Sequence, residues 1–445
     1  MKNRTSNARI SLSGLAAAIF SAGLVTACAS LTAAPAADVS PLSESAILAM
    51  AQEVHQNIIV LDGHADIVLP STSSLYLGAD GTSKVSLEKL KAGQVGVAVM
   101  SVAVAPGQRT PEGDAAARAE ADQKIAAINT LVSENPDDVE LALSAADIRS
   151  ANSAGKTALM LGFQNARSLE RNIDALDEFY AAGVRVFALN HIGHNDFSDS
   201  SRPFYDGVKK VYEPAEEHGG LSALGVAAVE RINLLGGVID VTQSSKAATL
   251  QMIDLSKTPV IASHSNARPQ SNVSRNLSEE EIDRIGETGG VIHVVAFGPY
   301  LVDYSDPALL AEIKQVRLEA DLPEAYSYPY ELYWEIADPE KKLAFLGTMK
   351  AVIGPGSVAR MVDHIDYIAG RIGVDHVAIG TDFNHGGGVD GFNEADDALN
   401  VTIELVRRGY SNSDIEKIWS GNFLRVLSIA ENSAARLEEG TINEN

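Results

Sequence analysis

Histidine and aspartate residues recur where apolar runs of the chain end, a pattern that suits metal-dependent hydrolysis. Six of them follow such runs: Asp62, His64, Asp66, His191, His264 and Asp382. Imidazole and carboxylate groups bind Zn²⁺ and similar ions, and an ion with an open coordination position lowers the pKa of bound water. The chain has one cysteine in 445 residues, which excludes a cysteine-rich zinc or iron–sulfur site. The set predicts a divalent metal site built from imidazoles and carboxylates.

The elements that would position these residues alternate along the chain. Eight short apolar runs, typical of strands buried on both faces, are separated by amphipathic stretches. The runs cover residues 58–68, 96–104, 157–163, 184–191, 236–242, 259–265, 290–297 and 376–383. This order predicts an α/β protein with a (β/α)8 TIM-like barrel, whose active site lies at the C-terminal ends of the strands. An open doubly wound sheet is the competing prediction, but no glycine-rich phosphate fingerprint follows the first strand.

The first 42 residues predict export and anchoring. A basic start, an apolar stretch and small residues before Cys28 are typical of a signal peptide over residues 1–27, followed by a tether over 28–42. The segment Val-Thr-Ala-Cys resembles a bacterial lipobox, in which Cys28 is lipidated. Plain cleavage with an unmodified thiol is the alternative. Because Ala29 follows the cysteine, the outer membrane is the expected anchor, and the protein is expected in the periplasm.

Residues 43–445 are expected to form one catalytic domain with an insertion at about 301–356. The insertion contains an aromatic patch, AYSYPYELYW, which we expect over the barrel mouth or in a homodimer contact. The formal net charge of −24 argues against nucleic-acid binding. Membrane contact is expected only through the lipid.

The order of motifs resembles the membrane (renal-type) dipeptidase family, peptidase family M19, from Ile58 to Asn432. The matching segments are LDGHAD, FALNHIGHNDFSDSS, GLSALGVAAVERINLLGGVIDVTQSS, PVIASHSNARPQSNVSRNLSEEEI, HVAIGTDF and RRGYSNSDIEKIWSGNFLRVL. The resemblance implies an amidohydrolase-type barrel that hydrolyses dipeptides with two zinc ions. It implies that His64 and Asp66 bind the first ion, that His264 binds the second, and that Asp382 is a metal ligand that handles the catalytic proton.

The resemblance also implies three substrate contacts. His191 corresponds to the imidazole that stabilises the tetrahedral oxyanion, and Arg275 to the guanidinium that holds the substrate. Tyr300 falls near a further substrate contact.

Two positions depart from the family pattern, and both concern the second ion. Gln164 stands where a metal-bridging glutamate is expected, and Gln243 where a second histidine ligand is expected. A neutral amide is a poorer zinc ligand than a carboxylate or an imidazole. The second site is therefore expected to be weak or absent, with one Zn²⁺ or another divalent ion at the first.

Three interpretations remain open on these residues. The chain is a hydrolase with one ion, or a hydrolase whose second site is rebuilt from His194, Asp196 or His385. Alternatively, the barrel has altered chemistry or a non-hydrolytic binding role.

Overall fold

The computed structural model describes residues 42–206, 209, 211–322, 336 and 338–443. The predicted signal peptide, Cys28 and nearly all of the tether lie outside these residues, as does the aromatic segment 325–334. Within the described part of the chain, we find no helix whose length and apolar character would allow it to cross a membrane.

Eight parallel strands form the barrel, and each corresponds to one of the eight predicted runs. The described strands are β1 (Val60–Asp66), β2 (Val95–Ala103), β3 (Val139–Leu141), β4 (Thr157–Gln164), β5 (Val184–Ala188), β6 (Tyr205–Asp206), β7 (Val211–Tyr212), β8 (Val238–Asp240), β9 (Ile261–Ala262), β10 (Val291–Val295) and β11 (Val377–Gly380). The barrel order is β1-β2-β4-β5-β8-β9-β10-β11, with β3 paired to β4 and a separate β6–β7 hairpin.

The first and last strands approach each other and close the sheet. Ala65 forms a parallel bridge with Phe383, and the Asp66 amide donates to the Phe383 carbonyl at 2.9 Å. The Asp382 amide donates to the His64 carbonyl at 2.8 Å. This closure confirms the predicted barrel over the open sheet, and it places the end of β11 beside the end of β1.

Helices surround the barrel. Their bounds are α1 (Glu44–Asn57), α2 (Leu87–Ala92), α3 (Pro111–Glu134), α4 (Ala145–Ser153), α5 (Ala175–Ala181), α6 (Ala223–Leu235), α7 (Lys246–Leu255), α8 (Glu279–Glu287), α9 (Pro307–Glu319), α10 (Pro339–Ile353), α11 (Val358–Ile372), α12 (Ala398–Arg407), α13 (Asn412–Glu416) and α14 (Asn422–Asn443). Many begin after a serine whose hydroxyl accepts a backbone N–H of the first turn. At α8, Ser278 and Glu281 form a reciprocal capping box.

Alternate strand residues pack into two apolar clusters. Ala98 and Met100 join the cluster that contacts the surrounding helices, whereas Val97 and Val99 join an inner cluster with Phe423 at the start of α14. His293 also faces inward. Its ring occupies the space left by the missing side chain of Gly63, where a Cβ would lie 2.2 Å from the imidazole.

The insertion has a small apolar core of its own. It includes Tyr304, Ile313 and Phe345, together with Val295 at the end of β10. Val295 lies at the C-terminal end of its strand, so the described part of the insertion packs beside that end of the barrel, where the predicted site residues also lie.

Candidate metal centre

The predicted ligands converge at the C-terminal end of the barrel. Nε2 of His64 lies 3.8 Å from Oδ2 of Asp66 and 3.8 Å from Oδ1 of Asp382. Two groups of three donors, each within 4.8 Å of one another, share Asp382. The first group is His64, His264 and Asp382, and the second is Asp66, Asp382 and His385. The strand ends therefore bring together all four predicted metal ligands, with His385 in addition.

Asp62, at the end of the same apolar run as His64 and Asp66, is not among these donors. The register of β1 against β2 shifts between Asp62 and Ala65. The Asp62 carboxylate instead accepts hydrogen bonds from the hydroxyl and the backbone N–H of Thr381, at 2.5 and 3.0 Å. Asp62 thus ties β1 to β11 beneath the metal ligands.

A buried network sets the tautomer of His264. The Ser263 hydroxyl lies 2.5 Å from Oδ2 of Asp240 and donates to that carboxylate. The same hydroxyl oxygen accepts from Nδ1 of His264 at 2.8 Å, and Nδ1 of His64 lies 3.5 Å from it. Each imidazole therefore presents an unprotonated Nε2 to the site, which is the form that binds a metal.

Nε2 of His64 is buried, and no described group of the protein hydrogen-bonds to it. Burial lowers the pKa of His64 to about 4, so the ring is neutral at pH 7. Burial likewise lowers the pKa of His264 well below its usual value. A buried lone pair beside two carboxylates fits a cation, because an unpartnered polar atom in the interior carries a free-energy cost.

Lys124 of α3 anchors Asp66. Its Nζ lies 3.4 Å from Oδ1 of Asp66 and donates to the Ala103 carbonyl at 2.6 Å. Burial alone would raise the pKa of Asp66. The His385 imidazole and the Lys124 ammonium outweigh that effect and hold the pKa below its usual value. Asp66 is therefore ionised at neutral pH, with Oδ1 fixed and Oδ2 directed at His64.

Of the two carboxylates beside His64, Asp382 takes up a proton more readily than Asp66. Burial raises its pKa to about 7; His385 opposes that shift, and the Asp66 charge adds to it. In the metal-free site Asp382 therefore exchanges a proton near neutral pH.

Gln164 and Gln243 both face His264. The Nε2 atom of each amide lies 3.4 Å from Nε2 of His264. Gln164 ends β4, and Gln243 follows β8 with a positive φ of 68°. The two amides therefore occupy the place where the resemblance implies a bridging carboxylate and an imidazole.

The three predicted substrate contacts lie at the same end of the barrel. Nδ1 of His191 donates to the Val104 carbonyl at 3.2 Å, which leaves Nε2 unprotonated in the neutral ring. Arg275 donates to the Ser265 hydroxyl and to the His264 carbonyl, at 3.2 and 3.0 Å. Its guanidinium lies 5.5 Å from the centre of the Tyr300 ring.

Two of the three suggested replacement ligands do not reach the centre. Nδ1 of His194 accepts the Ser200 amide, and its Nε2 donates to the Pro214 carbonyl at 2.7 Å. Asp196 lies 3.7 Å from the guanidinium of Arg171. These residues hold the loop after β5 in place, whereas His385 does face the metal ligands.

Sequence reasoning missed several residues around the centre. Asp240 and Ser263 set the histidine tautomer, Lys124 anchors Asp66, and Arg202 donates to the Tyr300 hydroxyl at 2.9 Å. Asp240 and Ser263 lie at strand ends and carried a detectable signal, because polar residues there face the active site. Lys124 lies inside a long helix, where no local pattern distinguishes it from a surface lysine.

A parallel (β/α)8 barrel with imidazole and carboxylate donors at its C-terminal end defines a class of metal-dependent hydrolases. The chain belongs to the membrane dipeptidase family, peptidase family M19, which matches residues 48–441. It is therefore a dipeptidase-like hydrolase of a family that implies a divalent metal, typically zinc.

Several known proteins are similar to the chain. The crystal structure of the probable dipeptidase PvdM from Pseudomonas aeruginosa has a TM-score of 0.78 and 33% identity, covering 87% of this chain and 99% of that one. Dipeptidase ataJ of Aspergillus terreus is 28% identical over 425 residues, which is 89% of this chain and 90% of ataJ. A Rhodobacter sphaeroides metallo peptidase, crystallised with a phosphinate mimic of L-Ala-D-Ala, shares the fold at a TM-score of 0.62 and 18% identity, covering 84% of this chain and 99% of that one.

Proposed function

We propose that this protein is a metallo-dipeptidase that cleaves the amide bond of dipeptides or related small amides and uses one tightly held divalent ion, zinc by preference. The convergence of His64, Asp66 and Asp382 around a buried imidazole lone pair is the observation that carries the proposal. Two carboxylates balance the charge of a dication, and the neutral imidazole supplies a nitrogen ligand. When bound, such an ion activates water and polarises a carbonyl group.

The side chains around the ion transfer the proton and hold the substrate. Asp382 accepts the proton released as the amide carbon is attacked and returns it to the leaving amine. Arg275 holds the substrate through a carboxylate, since its guanidinium is fixed beside the centre by Ser265 and the His264 carbonyl. Tyr300 lines the same wall.

His191 stabilises the negative charge that develops on the carbonyl oxygen. Burial lowers the pKa of His191 well below its usual value, so the resting ring is neutral. An oxyanion forming beside Nε2 raises that pKa, because an opposite charge favours the protonated ring. Because Nδ1 is already bonded to the Val104 carbonyl, Nε2 donates to the oxyanion only in the protonated ring, so this role requires His191 to take up one proton from solvent.

The residues present do not fit a tightly bound second ion. A second ion beside His264 would share Asp382 with the first, and it would have the amides of Gln164 and Gln243 in place of the bridging carboxylate and the second imidazole that the family pattern implies. In the present arrangement the amide N–H groups face the His264 lone pair and take the place of a cation. The second site is accordingly weak or absent.

The setting of the reaction is also part of the proposal. A basic start, an apolar stretch and a lipobox-like segment ending at Cys28 support export and lipidation. The protein would act in the periplasm, anchored to the outer membrane by lipid, on a small peptide or amide. A homodimer with contacts at the aromatic part of the insertion is expected.

The competing proposal is a barrel that binds a small amide or peptide without hydrolysing it, or that carries out altered chemistry on one. The loss of charge at Gln164 and Gln243 is what favours it. The retained donors His64, Asp66 and Asp382 and the buried Arg275 favour hydrolysis, because a binding scaffold does not need them.

Metal content and turnover test the proposal together. The full chain, purified in mild detergent and equilibrated with Zn²⁺, should hold about one ion by elemental analysis and should cleave members of a dipeptide panel. Asp382→Asn should abolish cleavage without unfolding the protein. A chain that binds no metal, or an Asp382→Asn variant with unchanged cleavage, would contradict the proposal. Binding of dipeptides without cleavage would favour the competing one.

A further inference from the structure

A tight turn after β11 directs His385 toward the metal ligands. Asp382 and Asn384 adopt positive φ values of 55° and 63°, which residues other than glycine rarely adopt. Gly387 lies so close to the Thr381 carbonyl that a Cβ would come within 1.9 Å of its oxygen. The Asn384 amide donates to the Asp66 carbonyl at 2.7 Å. The turn is therefore fixed to the end of β1, next to Asp66.

His385 shares an oxygen with His64. Nδ1 of His385 lies 3.3 Å from Oδ2 of Asp66, the same oxygen that lies 3.8 Å from Nε2 of His64. The other oxygen of Asp66 is directed at Lys124. His385 thus faces the oxygen that is left for a metal, and its donor atom lies within 4.8 Å of donors on both Asp66 and Asp382.

The packing of the other two imidazoles shows where an ion with these ligands would lie. The rings of His64 and His264 are stacked, with centroids 3.8 Å apart and planes 28° from parallel. Donor atoms of both rings lie within 4.8 Å of a donor on Asp382. Nε2 of His64 also lies 3.8 Å from Oδ2 of Asp66, whereas the described neighbours of Nε2 of His264 are the amides of Gln164 and Gln243. An ion held between the two carboxylates would therefore have His64 as its imidazole neighbour.

We propose that His385 is a direct ligand, through Nδ1, of the single ion that His64, Asp66 and Asp382 hold. The inference rests on the proposed function for the presence of an ion, and it adds the fourth protein ligand. Four ligands, two of them carboxylates, compensate at this position for the affinity lost with the second site. Zinc with four side-chain ligands can still accept a fifth partner, since it expands to five-coordination.

The affinity of the full chain for Zn²⁺, measured by competition with a chromophoric chelator, tests this. Removing an outer-shell partner of a metal ligand costs about 10–100-fold in affinity, so His385→Ala should cost about 100-fold or more. His376→Ala is the matched control, because His376 precedes β11 at the opposite end of that strand from Asp382 and bonds the Gly290 carbonyl. The control should change the affinity less than about twofold. Unchanged affinity in His385→Ala would overturn the inference.

A second variant separates direct ligation from an outer-shell role. In a Cys28→Ser background, His385→Cys loaded with Co²⁺ should show an intense sulfur-to-cobalt charge-transfer band, and His376→Cys should not. A His385→Cys protein that binds cobalt without this band would overturn the inference, and so would one that binds no cobalt while His385→Ala still does. Failure of the unmodified chain to bind any metal would contradict the proposed function itself, so the two failures are distinguishable.

Discussion

Replacing Asp382 by asparagine should stabilise the metal-free protein while weakening metal binding. The pKa of this carboxyl is raised from 3.8 to about 7, mainly by burial. A shift of about three units corresponds to about 4 kcal/mol at about 1.4 kcal/mol per unit, as an upper bound for one group. Asparagine has nearly the same shape and tolerates the positive φ of this position, so the variant removes the charge and little else.

The sign of the pH dependence follows from linkage. The folded state holds the Asp382 proton more tightly than the unfolded state, so this group stabilises the fold fully below pH 4. That stabilisation is lost as pH rises from about 4 through about 7. At pH 8 the wild-type protein bears the full free-energy cost of burying the ionised Asp382 carboxylate, whereas Asp382→Asn has no charge to bury. In the presence of zinc the wild-type protein should be the more stable of the two, because its carboxylate then has a cation to pair with.

Urea unfolding with a chelator, at pH 5 and at pH 8, measures the effect. The free energy of unfolding of Asp382→Asn should exceed that of the wild type by about 2–4 kcal/mol at pH 8 and by clearly less at pH 5. Asp137→Asn, at an exposed position, is the control and should change stability by less than about 0.5 kcal/mol. If chelated Asp382→Asn were no more stable than the wild type at pH 8, burial of this charge would not be the cause we assign.

Three further predictions concern the two metal positions and the oxyanion. Gln164→Glu combined with Gln243→His should raise the bound zinc from about one to about two ions per chain by elemental analysis, because charged and imidazole ligands then surround His264; a constant ion count would show that the amides are not what empties this position. Ser263→Ala should lower zinc affinity about 10–100-fold in the same chelator competition, since it removes the partner that fixes the His264 and His64 tautomers, and unchanged affinity would contradict that role. His191→Ala should lower kcat about 10²–10³-fold with the metal content unchanged, and a loss of metal would instead make His191 a ligand.

Much of the site could be predicted because its information is local. Each barrel strand is a short apolar run, and the residue types that follow it indicate which groups stand at the active-site end. His64, Asp66, His264 and Asp382 were found in this way, and the structure brings them together. The expected difference at Gln164 and Gln243 follows from the family resemblance together with the residue types, because an amide cannot carry the charge of a carboxylate.

The tertiary structure decided what depends on register and on contacts between distant residues. Asp62 accepts hydrogen bonds from Thr381, a partner 319 residues away that the sequence pattern does not encode. Lys124 and His385 both contact Asp66, although they lie 58 and 319 residues away from it in the sequence. A hydrophobic pattern encodes which face of an element is buried, but not which partner lies opposite it. Those partners, and the backbone angles of the turn at Asp382, fix the composition of the metal site only once the barrel has closed.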